Sequence, residues 1–568
     1  MIAEIEINNS TCNDLFPQIK INFVQSSEIK QIMKKFTFLF LISILASQIN
    51  LFAQRGTIVN AIPVATLTPA QIMQGLQINM DETSFALIDN FTYKKYSVNA
   101  VKVIYNTIDG KGNPTIASGV VFLPAVQNET YLPVFSYLHG TLTRDADAPS
   151  NLVGIESTIG WIMSMDGYIS VLPDYIGLGD GLGIHAYTHA ESEASASIDL
   201  LKAATLLCSN PLIKSKPNGN LYLSGYSQGA HAALATQKEL ETNPLSNLTL
   251  QKTVAGSGAY SLSYIQKNFI FNNPSYTNPS FLPYLLLGYQ DVYGNLYSNL
   301  NQVFVSPFNN DIPGYFDGLK DVEEIDGFLP ANWKSMFVPK YLWNIQYNYF
   351  HPVNIDLRKN DLINWKPKTD LYLYFSTGDE LVAKENSMLA YLSFLLKGSR
   401  KVTCLPVSNL THAATAPYVL LLAKIQFDCA SGINPCGLNL TTLASLLKSG
   451  STTDISMFEA ALNENATLDE NEIYANKEIK NYFDIAEEKT QLLNIYPNPS
   501  SDVVFIEIPS ESGVNSKLNM YDMQGKIVHN EIVASNIIQL NVKQFGTGVY
   551  KIVLNGEVNR TATLVVNY

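Results

Sequence analysis

Ser227 lies within Gly225-Tyr226-Ser227-Gln228-Gly229, directly after the apolar run Leu221-Tyr222-Leu223 and directly before a helix-prone stretch from Ala230 to Leu240. A strand that reverses at once into a helix forces the residue at the bend into a strained backbone conformation, and flanking glycines remove the Cβ atoms that would clash. The serine hydroxyl is left exposed at a helix N-terminus, and the amide of Gln228 then points at any oxyanion forming in front of it. The pattern suits a nucleophile that attacks a carbonyl carbon. Three fixed residues in five also recur by chance in ordinary strand-to-helix turns, so the pattern needs partners elsewhere in the chain.

A serine hydroxyl is a poor nucleophile until an imidazole takes its proton, and the imidazole needs a carboxylate to fix its tautomer. The chain has seven histidines. In the order serine, acid, base, His139, His185 and His189 come too early, and His231 lies one turn past Ser227 on the same helix. His351 falls in an aromatic-rich insertion and His529 in the tail. His412 remains, in the loop "SNLTHAATAP" after the strand-like run "KVTCLPV". Asp379 directly follows the preceding run, "LYLYFSTG", so the end of the neighbouring strand would carry it beside His412; Glu380 is the local alternative and Asp370 a distant one. Gly378 is expected to make the turn. A second oxyanion donor is expected in the amide of Thr141, in "YLHGT", with His139 a hydrogen-bonded loop residue. Asp174 and Asp180, in "VLPDYIGLGDG", are expected to hold a buried turn through carboxylate-to-amide bonds. No Cys/His set has zinc spacing, so neither a structural metal nor a cofactor is expected.

These side chains need a scaffold that brings distant segments to one edge. The chain is 568 residues long with a net charge of −13 and 15% charged residues. That balance provides no basic field for nucleic acid. Short apolar runs alternate with helical stretches from "LPVFSYLHG" to "KVTCLPV", the signature of a mostly parallel α/β sheet whose active site lies at the carboxyl ends of its strands. Before them, "YSVNAVKVIYNTI" and "TIASGVVFLPA" form a hairpin about Asp109–Gly112, and residues 55–96 read as mixed with one helix, capped by Thr68 with Pro69 at its first position. Residues 260–365, crowded with Tyr, Phe, Trp and Asn, are too long for a structureless loop and read as a helical cap over the sheet. Its aromatic residues mainly pack the cap onto the core, and some are free to line an acyl pocket.

The ends read differently. Residues 33–54, "MKKFTFLFLISILASQINLFAQ", have two lysines, an apolar run from Phe36 to Ala46 and a small residue at Ala53. This is the form of a secretory signal peptide, with Met33 the initiator; the run is shorter than the roughly 20 residues of a membrane span, the alternative reading. Cys429 and Cys436, in "CASGINPC", are spaced for an oxidised pair after export. Residues 437–491 are polar and acidic, a linker, and residues 492–568 alternate apolar and polar in short runs, a small antiparallel β-sandwich. The catalytic unit is then 55–436.

The motifs "YNTIDGKGNPTIASGVVFLP", "YLHGT", "LPDYIGLG", "GYSQGAHAA", "TGDELV" and "LTHA", spread over Val98 to Cys429, together resemble the secretory lipase, lipase A-like, family of α/β-hydrolases. "TGDELV" lacks the proline that often follows its valine. The resemblance implies a triad of Ser227, Asp379 and His412, an inserted lid and hydrolysis of carboxylic esters or lipids. "IYPNPSSDVVFIEI", "LNMYDMQGKIV" and "GVYKIVL" are similar to the C-terminal sorting domain of the bacterial type IX secretion system, which implies that machinery as a partner, an extracellular or cell-surface location and no part for the tail in catalysis. Two other functions compete: a prolyl oligopeptidase-like peptidase, which usually carries an N-terminal propeller, although no blade repeats precede this core, and a surface binding protein without catalysis, which would have lost some of the triad.

Overall fold

The computed structural model describes residues 5–6, 20–21, 54–80, 82–433, 493–496, 501–508, 516–522, 527–555 and 560–566. Residues 33–53 of the expected signal segment, Cys436 and the expected linker at 437–491 lie outside them.

Nine runs rich in β-branched and aromatic residues pair into one sheet. They are β1 (Ile58–Leu67), β2 (Val98–Ile108), β3 (Pro114–Pro124), β4 (Thr130–Leu138), β5 (Ile169–Pro173), β6 (Ser215–Tyr226), β7 (Thr249–Gly256), β8 (Asp370–Ser376) and β9 (Val402–Ser408). Their order is β9-β8-β7-β6-β4-β5-β3-β2-β1. Strands β4 to β9 are parallel to their neighbours, and β3, β2 and β1 add on antiparallel. All five residues of β5 are buried, as expected for a strand covered on both faces. The β2–β3 hairpin closes where the Asp109 carboxylate accepts the N–H groups of Lys111 and Asn113 and Gly112 takes φ +82°.

The region before Tyr96 differs from expectation. It holds the edge strand β1 and two helices, α1 (Pro69–Asn79) and α2 (Glu82–Asn90). Strand β1 shows no two-residue alternation because most of its side chains face solvent, and its register shifts at Pro63. Helix α1 starts as the sequence implies: Thr68 and Gln71 cap each other's backbone N–H.

The sheet is sandwiched by α3 (Thr158–Asp166), α4 (Ala190–Cys208), α5 (Gln228–Thr242), α12 (Glu385–Leu396) and α13 (His412–Ser431). Between β7 and β8 the described chain has only helices: α6 (Lys267–Asn272), α7 (Phe281–Tyr293), α8 (Phe308–Tyr315), α9 (Val322–Phe328), α10 (Pro339–Tyr347) and α11 (Pro352–Lys359), with shorter turns. They enclose their own core, in which Trp333, Phe304, Phe337 and Tyr289 are almost wholly buried. Each such aromatic contributes about 2–3 kcal/mol by leaving water, so this segment holds itself together over the sheet rather than trailing as a loop.

The Asp174/Asp180 expectation splits. Buried Asp174 accepts the Ser150 N–H at 2.9 Å and the Ser118 hydroxyl at 2.5 Å. Asp180 is instead on the outside of the turn, with its side chain 41% exposed and 2.6 Å from Lys102. The glycines around it carry the loop to the surface, where a lysine replaces the amides a buried carboxylate would need. Cys208 and Cys404 are free and buried, and Cys429 is disulfide-bonded.

In the tail, β10 (Asn494–Tyr496), β11 (Val503–Glu507) and β14 (Ile537–Asn541) form one antiparallel sheet. Strands β12 (Lys517–Tyr521), β13 (Ile527–Ile532), β15 (Gly548–Asn555) and β16 (Arg560–Val566) form another. Val504, Ile506 and Leu540 from the first pack with Leu518, Met520, Ile552 and Leu564 from the second, the expected sandwich.

Candidate active site

Each proposed site residue lies just past the carboxyl end of a parallel strand: Thr141 after β4, Ser227 after β6, Asp379 after β8 and His412 after β9. Ser227 has φ 59° and ψ −123°, a conformation that costs a non-glycine residue about 1–3 kcal/mol. Its N–H donates to the Gly256 carbonyl at 2.9 Å, so the end of β7 helps to hold the strained turn. A Cβ on Gly225 would overlap the Gly229 carbonyl, and one on Gly229 would overlap the Leu138 carbonyl. Strand β6, helix α5 and strand β4 therefore meet backbone against backbone. Gly229→Ala is expected to destabilise the protein by about 3 kcal/mol, because the Leu138 carbonyl at the end of β4 cannot retreat without distorting the sheet. Thermal denaturation checks this, and an unchanged midpoint would contradict the packing.

His412 is the first residue of α13. Its N–H donates to the Glu380 carboxylate at 2.9 Å, and its carbonyl accepts the Tyr226 hydroxyl at 2.6 Å. The imidazole Nδ1 stands 2.8 Å from Asp379 Oδ2 and 3.0 Å from Oδ1. Asp379 Oδ1 also accepts the N–H groups of Leu381 at 3.0 Å and Val382 at 2.8 Å. The carboxylate is thus pinned by its own loop, and a proton held on Nδ1 leaves Nε2 free to accept another. Gly378 lies in the turn after β8, as expected, and a second constraint acts on it. A Cβ there would strike the Asn409 carbonyl, so glycine is also required by the close approach of the Asp379 and His412 loops.

Ser227, His412 and Thr141 line one cavity of about 510 Å³. Its walls are mostly apolar, with Ile88 from α2 and Phe91 just after it, Ile159 and Ile162 from α3, and Ala416 and Leu420 from α13. The cap adds Phe281. Thr141 donates its hydroxyl to Tyr187 at 3.2 Å. Gln228 opens α5, where its N–H has no acceptor within the helix, while its side chain turns away from the cavity.

That side chain belongs to a network the sequence did not disclose. Gln228 Nε2 lies 3.0 Å from Glu193 Oε1 and 2.8 Å from His185 Nε2, and Glu193 Oε2 lies 2.7 Å from His231 Nδ1. His231 Nε2 meets the Asn360 carbonyl at 2.9 Å. Burial works to lower the His231 pKa, but the adjoining Glu193 carboxylate more than offsets it and the net shift is upward. The described residues therefore hold two buried His–carboxylate pairs. The pair of His231 has both ring nitrogens engaged inside the protein, whereas His412 borders the cavity that contains Ser227. His139 is buried between the carbonyls of Gly140 and Asp174, and burial pulls its pKa down to about 4. His351 precedes α11 as its N-cap, and His529 is in β13. Glu380, weighed in the sequence only as a rival acid, accepts the backbone N–H of His412 instead.

Comparison with known proteins adds three findings. Residues 494–567 match the family described as the secretion system C-terminal sorting domain. No curated protein sequence matches the chain. Among solved structures, the rice cell wall degrading esterase LipA from Xanthomonas oryzae is 26% identical, with a TM-score of 0.58 over 66% of this chain and 98% of that one. A Legionella pneumophila protein assigned as a hydrolase is 27% identical, with a TM-score of 0.57 over 67% of this chain and all of that one. Candida antarctica lipase A in its closed state also aligns, at 16% identity and a TM-score of 0.49 over 68% of this chain and 84% of that one. The large sheet and its helices have the α/β-hydrolase fold of the esterases, and the tail is a sorting domain.

Proposed function

We propose that the protein is an exported serine hydrolase of carboxylic esters that works through an acyl-enzyme. The observation that carries this reading is that Ser227, in its strained turn, and His412, held from behind by Asp379, line the same apolar cavity. The Ser227 hydroxyl oxygen attacks the ester carbonyl carbon as its proton passes to His412 Nε2. The carbonyl oxygen becomes an oxyanion facing the amides of Gln228 and Thr141. The C–O bond to the alcohol breaks, and the proton on Nε2 goes to the departing oxygen. Water, deprotonated by the same nitrogen, then frees the acid and restores the serine. The likeness to the LipA esterase over 98% of that chain supports the ester as substrate.

Residues 55–436 act in this reading as the catalytic unit, with 260–365 as its cap, 437–491 as a linker and 492–568 as the part read by the type IX secretion machinery. Residues 33–54 direct the first membrane crossing. Removing 492–568 is expected to leave kcat/KM within about twofold of the full chain while the protein stops reaching the medium or cell surface. Fractionation with an activity assay on each fraction checks this, and undiminished export would separate the tail from sorting.

A panel of p-nitrophenyl esters from acetate to palmitate, run beside a peptide amide, tests the reaction. Turnover of esters with a burst of nitrophenol is the expected result. Turnover of the amide in preference would move the assignment to a peptidase, and no turnover of any ester would leave a binding protein.

A further inference from the structure

Gln228, the first residue of α5, has its side chain held by groups from two other parts of the chain. Its Nε2 donates to Glu193 Oε1 at 3.0 Å, in the first turn of α4, and to His185 Nε2 at 2.8 Å. His185 can accept there because its Nδ1 faces the Ile176 carbonyl at 2.9 Å and so carries the ring proton. Burial, which pulls the His185 pKa down to about 4, keeps that ring neutral. Gln228 Oε1 is buried and has no hydrogen-bond partner among the described residues. A side chain that places both amide hydrogens and leaves its carbonyl without a donor is fixed by its N–H₂ group; an apolar residue in the same space would avoid the orphaned oxygen.

The charge on Glu193 follows from its other neighbour. His231 Nε2 faces the Asn360 carbonyl at 2.9 Å, which can only accept, so that nitrogen carries a proton. His231 Nδ1 faces Glu193 Oε2 at 2.7 Å, and imidazole is the stronger base of the two, with an ordinary pKa of about 6.5 against about 4.3. The proton between them therefore rests on His231 as an imidazolium. Glu193 stays a carboxylate although both side chains are almost wholly shut off from water. A hydrogen bond to a charged acceptor is roughly twice as strong as one to a neutral acceptor, so Glu193 is the firmer of the two anchors on Gln228. Asn360 follows α11, and its side chain accepts the Ala190 N–H at 2.9 Å, so the carbonyl that faces His231 is itself tied to α4.

Resting on the hydrolase reading, we propose that Glu193 and His231 are positioning residues for the oxyanion hole: the imidazolium keeps Glu193 ionised, and Glu193 holds the Gln228 side chain so that the Gln228 N–H stays aimed at the oxyanion. Neither residue lines the cavity that contains Ser227, so their effect on the reaction passes through Gln228. That effect belongs to the transition state, in which the oxygen carries its charge, and falls on kcat rather than KM.

Steady-state kinetics of the full chain on p-nitrophenyl butyrate test this. Gln228→Met keeps the backbone N–H and the side-chain length but offers no amide hydrogens. It is expected to lower kcat by about 10–100-fold, short of the 10²–10³-fold that loss of an oxyanion donor costs, with KM within about twofold. Glu193→Ala should lower kcat to a similar degree. Glu193→Gln can still accept from Gln228 through its oxygen and donate to a neutral His231, so it should recover most of that loss and stay about three- to tenfold below the parent. In the Gln228→Met background either Glu193 substitution should cost less than about a further twofold, because the contact it removes is already gone. A pair with a merely structural role would lower the thermal midpoint and leave kcat of the folded protein unchanged. The inference is overturned if Gln228→Met keeps kcat within about twofold of the parent, if the loss falls on KM, or if the losses at 193 and 228 multiply. Should Glu193→Ala not fold, the same comparison made with Glu193→Gln decides. Ester turnover that Gln228→Met leaves intact refutes this inference alone, whereas a parent that turns over no ester refutes the hydrolase reading and this inference with it.

Discussion

Ser227→Ala is expected to lower kcat on p-nitrophenyl butyrate by about 10⁵–10⁶-fold and to remove the nitrophenol burst, with KM little changed. The substitution deletes the one atom that would form the covalent bond to substrate. Everything that binds the ester, the apolar cavity walls and the Thr141 and Gln228 amides, stays in place, so a residual rate of roughly 10³-fold over water should survive. Alanine keeps the Cβ, and the left-handed backbone at φ 59° strains it much as it strains serine, so the thermal midpoint should move by no more than a few degrees. Loss of activity with the fold intact is the result that separates chemistry from structure. A Ser227→Ala enzyme retaining more than about one hundredth of the parental kcat would require another nucleophile. Adding His412→Ala to the same chain should cost little more, because base and nucleophile act as one unit.

Features set by local chain chemistry were readable in advance. The Thr68–Gln71 cap, the Asp109–Gly112 turn and the buried runs of the parallel sheet each arise from a few adjacent residues. That Ser227, Asp379 and His412 come to one edge was readable for a related reason: a parallel sheet delivers the loop after every strand to the same edge, so strand order alone limits which acid and which histidine can meet. The features that escaped depend on neighbours remote in the chain. Strand β1 carries no alternation because it is an exposed edge, and nothing between residues 55 and 67 announces its pairing with β2. Glu193 and His231 are thirty-eight residues apart, and their pairing requires α4 and α5 to pack side by side. Glu380 shows the sharpest limit. Its identity as an acid beside Asp379 was plain, but only the path of the loop decides that one carboxylate turns to the imidazole ring and the other to the backbone N–H of the same histidine.

That division of labour makes Asp379→Asn more informative than removal of the side chain. In the parent, Oδ1 receives the N–H groups of Leu381 and Val382 while Oδ2 and Oδ1 both face His412 Nδ1. An amide at this position has one accepting oxygen, and two backbone donors claim it. The N–H₂ is then left pointing at Nδ1, which must give up its proton to avoid two donors facing each other. The proton moves to Nε2, so the nitrogen nearer the nucleophile becomes a donor and cannot take the serine proton. The expected loss in kcat is about 10⁴-fold, with KM and the thermal midpoint close to those of the parent. Asp379→Ala imposes no wrong tautomer, so it should retain more activity than Asp379→Asn even though it removes more atoms. If Glu380 were the orienting acid, Asp379→Asn would lose less than about tenfold and Glu380→Gln would carry the large effect. With Glu380 on the backbone N–H of His412 at 2.9 Å, Glu380→Gln should instead keep its carbonyl on that N–H and lose less than about tenfold in kcat.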